Sequence, residues 1–128
     1  MGNKYIGTFD IELHGEKYTL RPSFDAMIEF EDQTGMSAQK AFEQIQQSNI
    51  TFKVVAAAIW AGIKGQAYAS NNPGAEVSFR VIGEQVKQCG LLKATPHAIK
   101  FITYGMLPDA DIRKFEDAQE EPEKKPES

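Results

Sequence analysis

The stretch that most limits what this chain can fold into is residues 52–69, FKVVAAAIWAGIKGQAYA, whose only charges are Lys53 and Lys64. Apolar residues fall on nearly every side of a helix drawn through it, and such a helix has to be enclosed by the rest of the molecule. Thr51 is placed to cap it, so the spacing predicts a central helix from Phe52 to about Ala69. Its uninterrupted apolar run, Val54 to Ile63, is about half of the roughly 20 residues needed to cross a bilayer. The other elements must therefore supply its cover.

Ahead of it, residues 4–13 alternate with a period of two, carrying Tyr5, Thr8, Phe9, Ile11 and Leu13 among polar neighbours. A turn over His14-Gly15-Glu16-Lys17 and a second strand at Tyr18-Thr19-Leu20 make this a β-hairpin, with Ile6-Gly7 breaking the alternation. Two strands alone are marginal in water and need a helical face to cover them. After Pro22, Ser23 caps a first helix from Phe24 to about Thr34, which Gly35 ends. Phe24, Met27, Ile28 and Glu31 share one face of it, and Asp25, Glu29 and Asp32 share another. Ser37 caps a second helix with the stripe Ala38, Ala41, Phe42, Ile45.

Beyond the central helix, Asn71-Asn72-Pro73-Gly74 signals a turn. A fourth helix aligns Phe79, Ile82, Val86 and Cys89 and stops at Gly90. Thr95-Pro96 is read as an N-cap followed by proline at the first helical position, opening a fifth helix that runs to about Met106. Asp109 to Phe115 adds one further helical turn, and Glu116 to Ser128 lacks the apolar residues to offset its ordering. The expected fold is α+β, mainly α: an N-terminal β-hairpin followed by a small bundle of about five helices. It forms a single domain over residues 1–115 with an acidic disordered tail over 116–128.

Charge separates the same two parts. Residues 1–115 hold 12 basic and 12 acidic side chains, so the formal net charge of −4 resides in 116–128. A neutral body without a basic patch offers little to nucleic acid or to an anionic membrane, and neither is expected as a partner. The N-terminus MGNKYIGTFD lacks the apolar core of a signal peptide, and one cysteine cannot form an internal disulfide, so a cytoplasmic location is expected.

No motif for chemistry stands out. The candidate nucleophile and bases are Cys89, His14 and His97. Cys89 ends an apolar stripe, His14 falls in the hairpin turn, and His97 in the first turn of the fifth helix, where the positive dipole end favours neutral imidazole. Asp109-Ala110-Asp111 lacks the glycine and the distal glutamate of a calcium loop, and Gly62 and Gly65 fit no phosphate-binding spacing. No catalytic residue, metal ligand or cofactor is assigned, and no enzymatic activity is expected.

What remains are surfaces for another protein. The acidic row Asp25, Glu29, Asp32 is either a contact or a solvated face. His97, Phe101 and Tyr104 recur at i, i+4 and i+7, opposite Ala98, Ile99, Ile102 and Met106, so the fifth helix is either sandwiched or shared with another chain. Trp60 projects with Lys53 and Lys64 away from Val55, Ile59 and Ile63, to meet a partner or the underside of the hairpin. Glu31, on an apolar stripe, needs a counterpart such as Arg21.

The segments GEKYTLRPSF (15–24), IEFE (28–31), TGMS (34–37) and VAAAIWAGI (55–63) resemble the tail assembly chaperone-like proteins of the gene transfer agent family, found in siphophage-like clusters and prophages. The likeness spans about residues 10–65, and the hairpin leading into a helix that ends in Thr-Gly is its most specific part. It implies a non-enzymatic morphogenesis factor that holds the tape measure protein until tail tube subunits polymerise around it. Such a factor is absent from the mature particle. Tape measure and tail tube proteins are the implied partners, with self-association of the chain left open, and no catalytic residue is transferred. The alternatives are a structural tail or head-tail connection component retained in the particle and, less favoured by the neutral body, a small DNA-binding regulator.

Overall fold

The computed structural model describes residues 7–71 and 77–120. Two antiparallel strands, β1 (Phe9–Leu13) and β2 (Glu16–Leu20), precede six helices: α1 (Phe24–Thr34), α2 (Ala38–Gln46), α3 (Phe52–Ser70), α4 (Phe79–Cys89), α5 (Leu91–Met106) and α6 (Asp109–Glu120). The architecture is α+β and mainly helical, with an N-terminal hairpin.

The hairpin turn is tighter than expected. Leu13 pairs with Glu16, leaving only His14 and Gly15 in the turn, both at positive φ (50° and 87°). This primed geometry matches the right-handed twist of the strands, and the opposed charges of Glu12 and Lys17 extend the pairing. Ile11, Leu13 and Leu20 are buried on the inner face, whereas Asp10, Glu12 and Lys17 are exposed on the outer one. The expected pairing at Tyr5 and Ile6 lies outside the described residues, as do Asn72, Pro73 and Gly74.

α3 is the central element, with eleven of its nineteen residues buried, and it touches β2, α1, α4 and α5. Its buried side chains are mostly alanine, so neighbours approach its backbone closely. The Arg21 N–H donates to the Gly62 carbonyl at 3.0 Å, and a Cβ at Gly62 would stand 2.6 Å from the Leu20 Cγ. A Cβ at Gly65 would strike the Arg21 carbonyl oxygen and come within 2.9 Å of the Ala26 Cβ. The strand-to-helix connection thus lies directly on two glycines of the central helix.

That contact also sets the rotation of α1. Ser23 caps it, its Oγ accepting the Ala26 N–H at 3.1 Å, and Gly35 ends it at φ 72°. Because small Ala26 must face Gly65, the buried side is Ala26, Met27, Phe30 and Thr34, and the expected stripe turns outward at Phe24 and Ile28. Glu31 meets backbone: its carboxylate accepts the Ala38 N–H at 2.9 Å at the start of α2.

Two expectations about the later helices are corrected. α5 begins at Leu91, so α4 and α5 share Gly90 as their junction (φ 104°), and Pro96 lies inside α5. Thr95 is not its N-cap; its hydroxyl donates to the Leu91 carbonyl at 2.7 Å. The earlier start lets Leu91 pack against the core and buries Ala94 completely, which offsets the amide that proline lacks. At the other end α6 passes Phe115, where the domain was expected to finish, and continues to Glu120. Ile112 is buried beneath it and the Glu116 carboxylate accepts the Gly7 N–H at 3.0 Å. Residues 121–128 of the expected tail lie outside the described residues.

Gly65→Ala should therefore destabilise the domain by about 1–3 kcal/mol, since rigid backbone opposes the methyl and overpacking exceeds the gain in helix propensity. Gly83, in α4 with open space around its Cβ position, should give the opposite sign when changed to Ala, a stabilisation of about 0.5–1 kcal/mol. Urea unfolding of the two variants checks both.

Candidate functional site

The residues singled out for partner contact divide between core and surface. Phe101 is fully buried and packs on Phe30, ring centroids 6.1 Å apart, and Tyr104 is 5% exposed. The aromatic stripe of α5 thus faces inward, so these two side chains present no surface to a partner in this structure. The opposite stripe is covered as well, with Ala98 and Ile102 fully buried and Ile99 and Met106 at its edges exposed, so of the two alternatives α5 is sandwiched within the fold.

Trp60 is half-buried and meets α4 rather than the hairpin. Its ring lies edge-on to Phe79 at 5.9 Å, with the Lys64 Nζ 5.0 Å above it. The acidic row is interrupted in the middle. Glu29 accepts a hydrogen bond from the Tyr68 hydroxyl at 2.7 Å and pairs with Lys64 at 3.7 Å, so only Asp25 and Asp32 remain exposed. That hydrogen bond is also the main reason the Tyr68 phenol is held above its ordinary pKa.

His97 is half-buried, and its neighbours join residues distant in sequence. Cys89, His14 and His97 line one open cleft of about 510 Å³ with Glu12, Gln88 and Lys93. Among the described residues no hydrogen bond links the thiol to either ring, and no group of three His, Cys, Asp or Glu side chains is placed to hold a metal ion. Starting α5 at Leu91 puts His97 in the second turn, beyond the dipole effect expected for it. Burial, then Lys100, lowers its pKa.

The apolar surface gathers elsewhere. Phe24 is 78% exposed at the first position of α1, beside an open groove of about 550 Å³ lined by Arg21, Met27, Tyr104, Leu107 and Ile112. Leu92 is 83% exposed at the start of α5. Phe115 stands between two smaller clefts, one with Pro96, Ile99 and Thr103 and the other with Leu107 and Ala118. Sequence reasoning missed these surfaces. Phe24 was on the apolar stripe by periodicity; its position right after the cap, about 120° around the helix from Phe30, was the available signal. Leu92 was assigned to a loop, and nothing local marked it otherwise.

Below Phe115 lies Tyr104, stacked on it at 6.5 Å, with Phe9 edge-on at 6.2 Å and the Lys100 Nζ 4.7 Å above the Phe9 ring. The Tyr104 hydroxyl is buried without a hydrogen-bond partner among the described residues. Burial, then the Glu116 carboxylate, raises its pKa above the ordinary 10.0. An unpaired buried hydroxyl costs about 1–3 kcal/mol, so this seam is not optimally matched.

Comparison with models of known protein families, with curated proteins and with solved structures finds no match to this chain. No helix among the described residues is long and apolar enough to cross a membrane.

Two outcomes follow from this placement. Phe101→Ala should lower stability by about 3–5 kcal/mol in denaturant titration, as expected for deleting a fully buried ring. His97 titrates lower in the folded chain than its ordinary 6.5, so the unfolded chain binds more protons between the two values and stability is fully present above that pH and declines as pH falls through the folded pKa. His97→Gln should flatten this slope in unfolding measured between about pH 5 and 7.

Proposed function

We propose that this chain is a tail assembly chaperone: a non-enzymatic factor that binds the tape measure protein, the tail tube protein or both during phage or prophage tail assembly and leaves before the particle is complete. The observation that carries the reading is Phe24. It ends the segment GEKYTLRPSF, the most specific part of the family likeness, and its ring stands in solvent beside an open groove of about 550 Å³. A helix-entry motif that folds against the core and still presents a bare aromatic suits contact with another protein.

Three segments that carry the likeness, in β2, α1 and α3, also pack on one another through Leu20, Arg21 and Ala26 against Gly62 and Gly65. The shared residues thus support one substructure. A tape measure is a long helical protein with apolar stripes, and many copies of a small domain with exposed Phe24 and Leu92 would shield it by repeated weak contacts. Weak single contacts suit replacement by the tube.

Co-expression with the neighbouring tape measure protein should raise the soluble fraction of that protein. Phe24→Ser with Leu92→Ser should reduce the effect at least threefold while leaving the thermal midpoint within a few degrees, because both side chains are already in water. An unchanged soluble fraction with the wild-type chain, or a double variant as effective as wild type, would count against this reading.

A further inference from the structure

The sixth helix is held to the domain by few interactions. Ile112 is its one buried side chain among those described, Phe115 stacks on Tyr104 with 48% of its surface exposed, and Glu116 accepts the Gly7 N–H. The connection behind it is two residues long. Leu107 is extended (φ −96°, ψ 148°) and Pro108 carries no N–H, so α6 does not continue the hydrogen-bond ladder of α5. What it covers is chemically defined: a socket beside Gly7 and Tyr104, the aromatic pair of Phe9 and Tyr104, the Gly7 N–H that Glu116 accepts, and a buried phenol with no acceptor among the described residues.

We infer that α6 is a displaceable occupant of this seat, and that the seat receives a short amphipathic helix from another protein in its place. The specification of that helix is read from α6 itself. It carries an apolar residue where Ile112 stands, an aromatic or large apolar residue three positions on, and a carboxylate four positions on to accept the Gly7 N–H. Lys100, over the Phe9 and Tyr104 rings, favours an occupant with acidic flanks, as α6 has. An incoming helix that also offers an acceptor to the Tyr104 hydroxyl has an advantage that α6 lacks. Ile112 forms one wall of the groove beside Phe24, so departure of α6 opens that groove toward Phe9 and lengthens the apolar track. This inference does not require the tail-assembly reading, since the seat and its occupant belong to the chain whatever its role.

The probe is a fluorescent peptide with the sequence of residues 108–120, titrated by anisotropy against the full chain and against full-length Ile112→Asp, whose own α6 is expelled. The tethered helix competes with the peptide, so the variant should bind it at least tenfold more tightly than the wild type does, and the same peptide carrying Ile112→Asp should bind neither. Equal affinities, or no binding by a variant that keeps its helical circular dichroism, would overturn the inference. Formation of dimers that excess peptide cannot dissociate would assign the seat to a second copy of the chain and overturn it equally. Amide hydrogen exchange on the unmodified chain is independent of how the variant folds: α6 should exchange at least a hundredfold faster than α3, and equal protection of the two would show that α6 does not leave its seat.

Discussion

One backbone hydrogen bond, from the Arg21 amide to the Gly62 carbonyl, joins the hairpin, the first helix and the central helix at a single point. It requires the chain leaving β2 to lie against α3 closer than any side chain on that part of α3 would allow. Gly62 accommodates Leu20, and Gly65 accommodates the Arg21 carbonyl and Ala26. From this contact follow the burial of Leu20, the rotation of α1 that puts Phe30 inside, and the outward placement of Phe24. Packing of Phe30 on Phe101 carries the constraint to α5. The core is therefore organised by close backbone approach, with a few large rings filling the space between alanine-rich surfaces.

Much of this order was legible in the sequence because it depends on local chemistry. Ser23, Ser37 and Thr51 each accept the amide three residues on, and Gly35 and Gly90 stand where helices end. The central helix was legible from composition alone. The misjudged features depend on packing between distant residues. Thr95-Pro96 has the local look of a helix start, but burial of Ala94 extended the helix back to Gly90, overriding the proline signal. Whether α5 was sandwiched or offered its aromatic stripe to another chain could not be decided from spacing, because that rests on which elements pack around it; Phe101 and Tyr104 on one stripe and Ala98 and Ile102 on the other are all buried. The extent of α6 rests on Ile112 and on a bond between Glu116 and Gly7, residues 109 positions apart.

The candidate surfaces follow the same division. Trp60, Glu29, Phe101 and Tyr104 are engaged in intramolecular contacts, while Phe24 and Leu92 at helix starts and Phe115 on the last helix are among the exposed apolar residues. Cys89, His14 and His97 reach one cleft only because the hairpin turn is folded near the α4–α5 junction. Their proximity is a product of topology that no sequence motif announced.

The shared glycine between α4 and α5 has a mechanical consequence. With no intervening loop, the direction of the sixteen-residue α5 relative to α4 is governed by the torsions of one residue. A helix of that length is about 24 Å long, so a rotation of about 10° at Gly90 would carry its far end roughly 4 Å. Met106, at the end of that arm, is separated from α6 by two residues, so the torsions at Gly90 also help to set where the last helix begins.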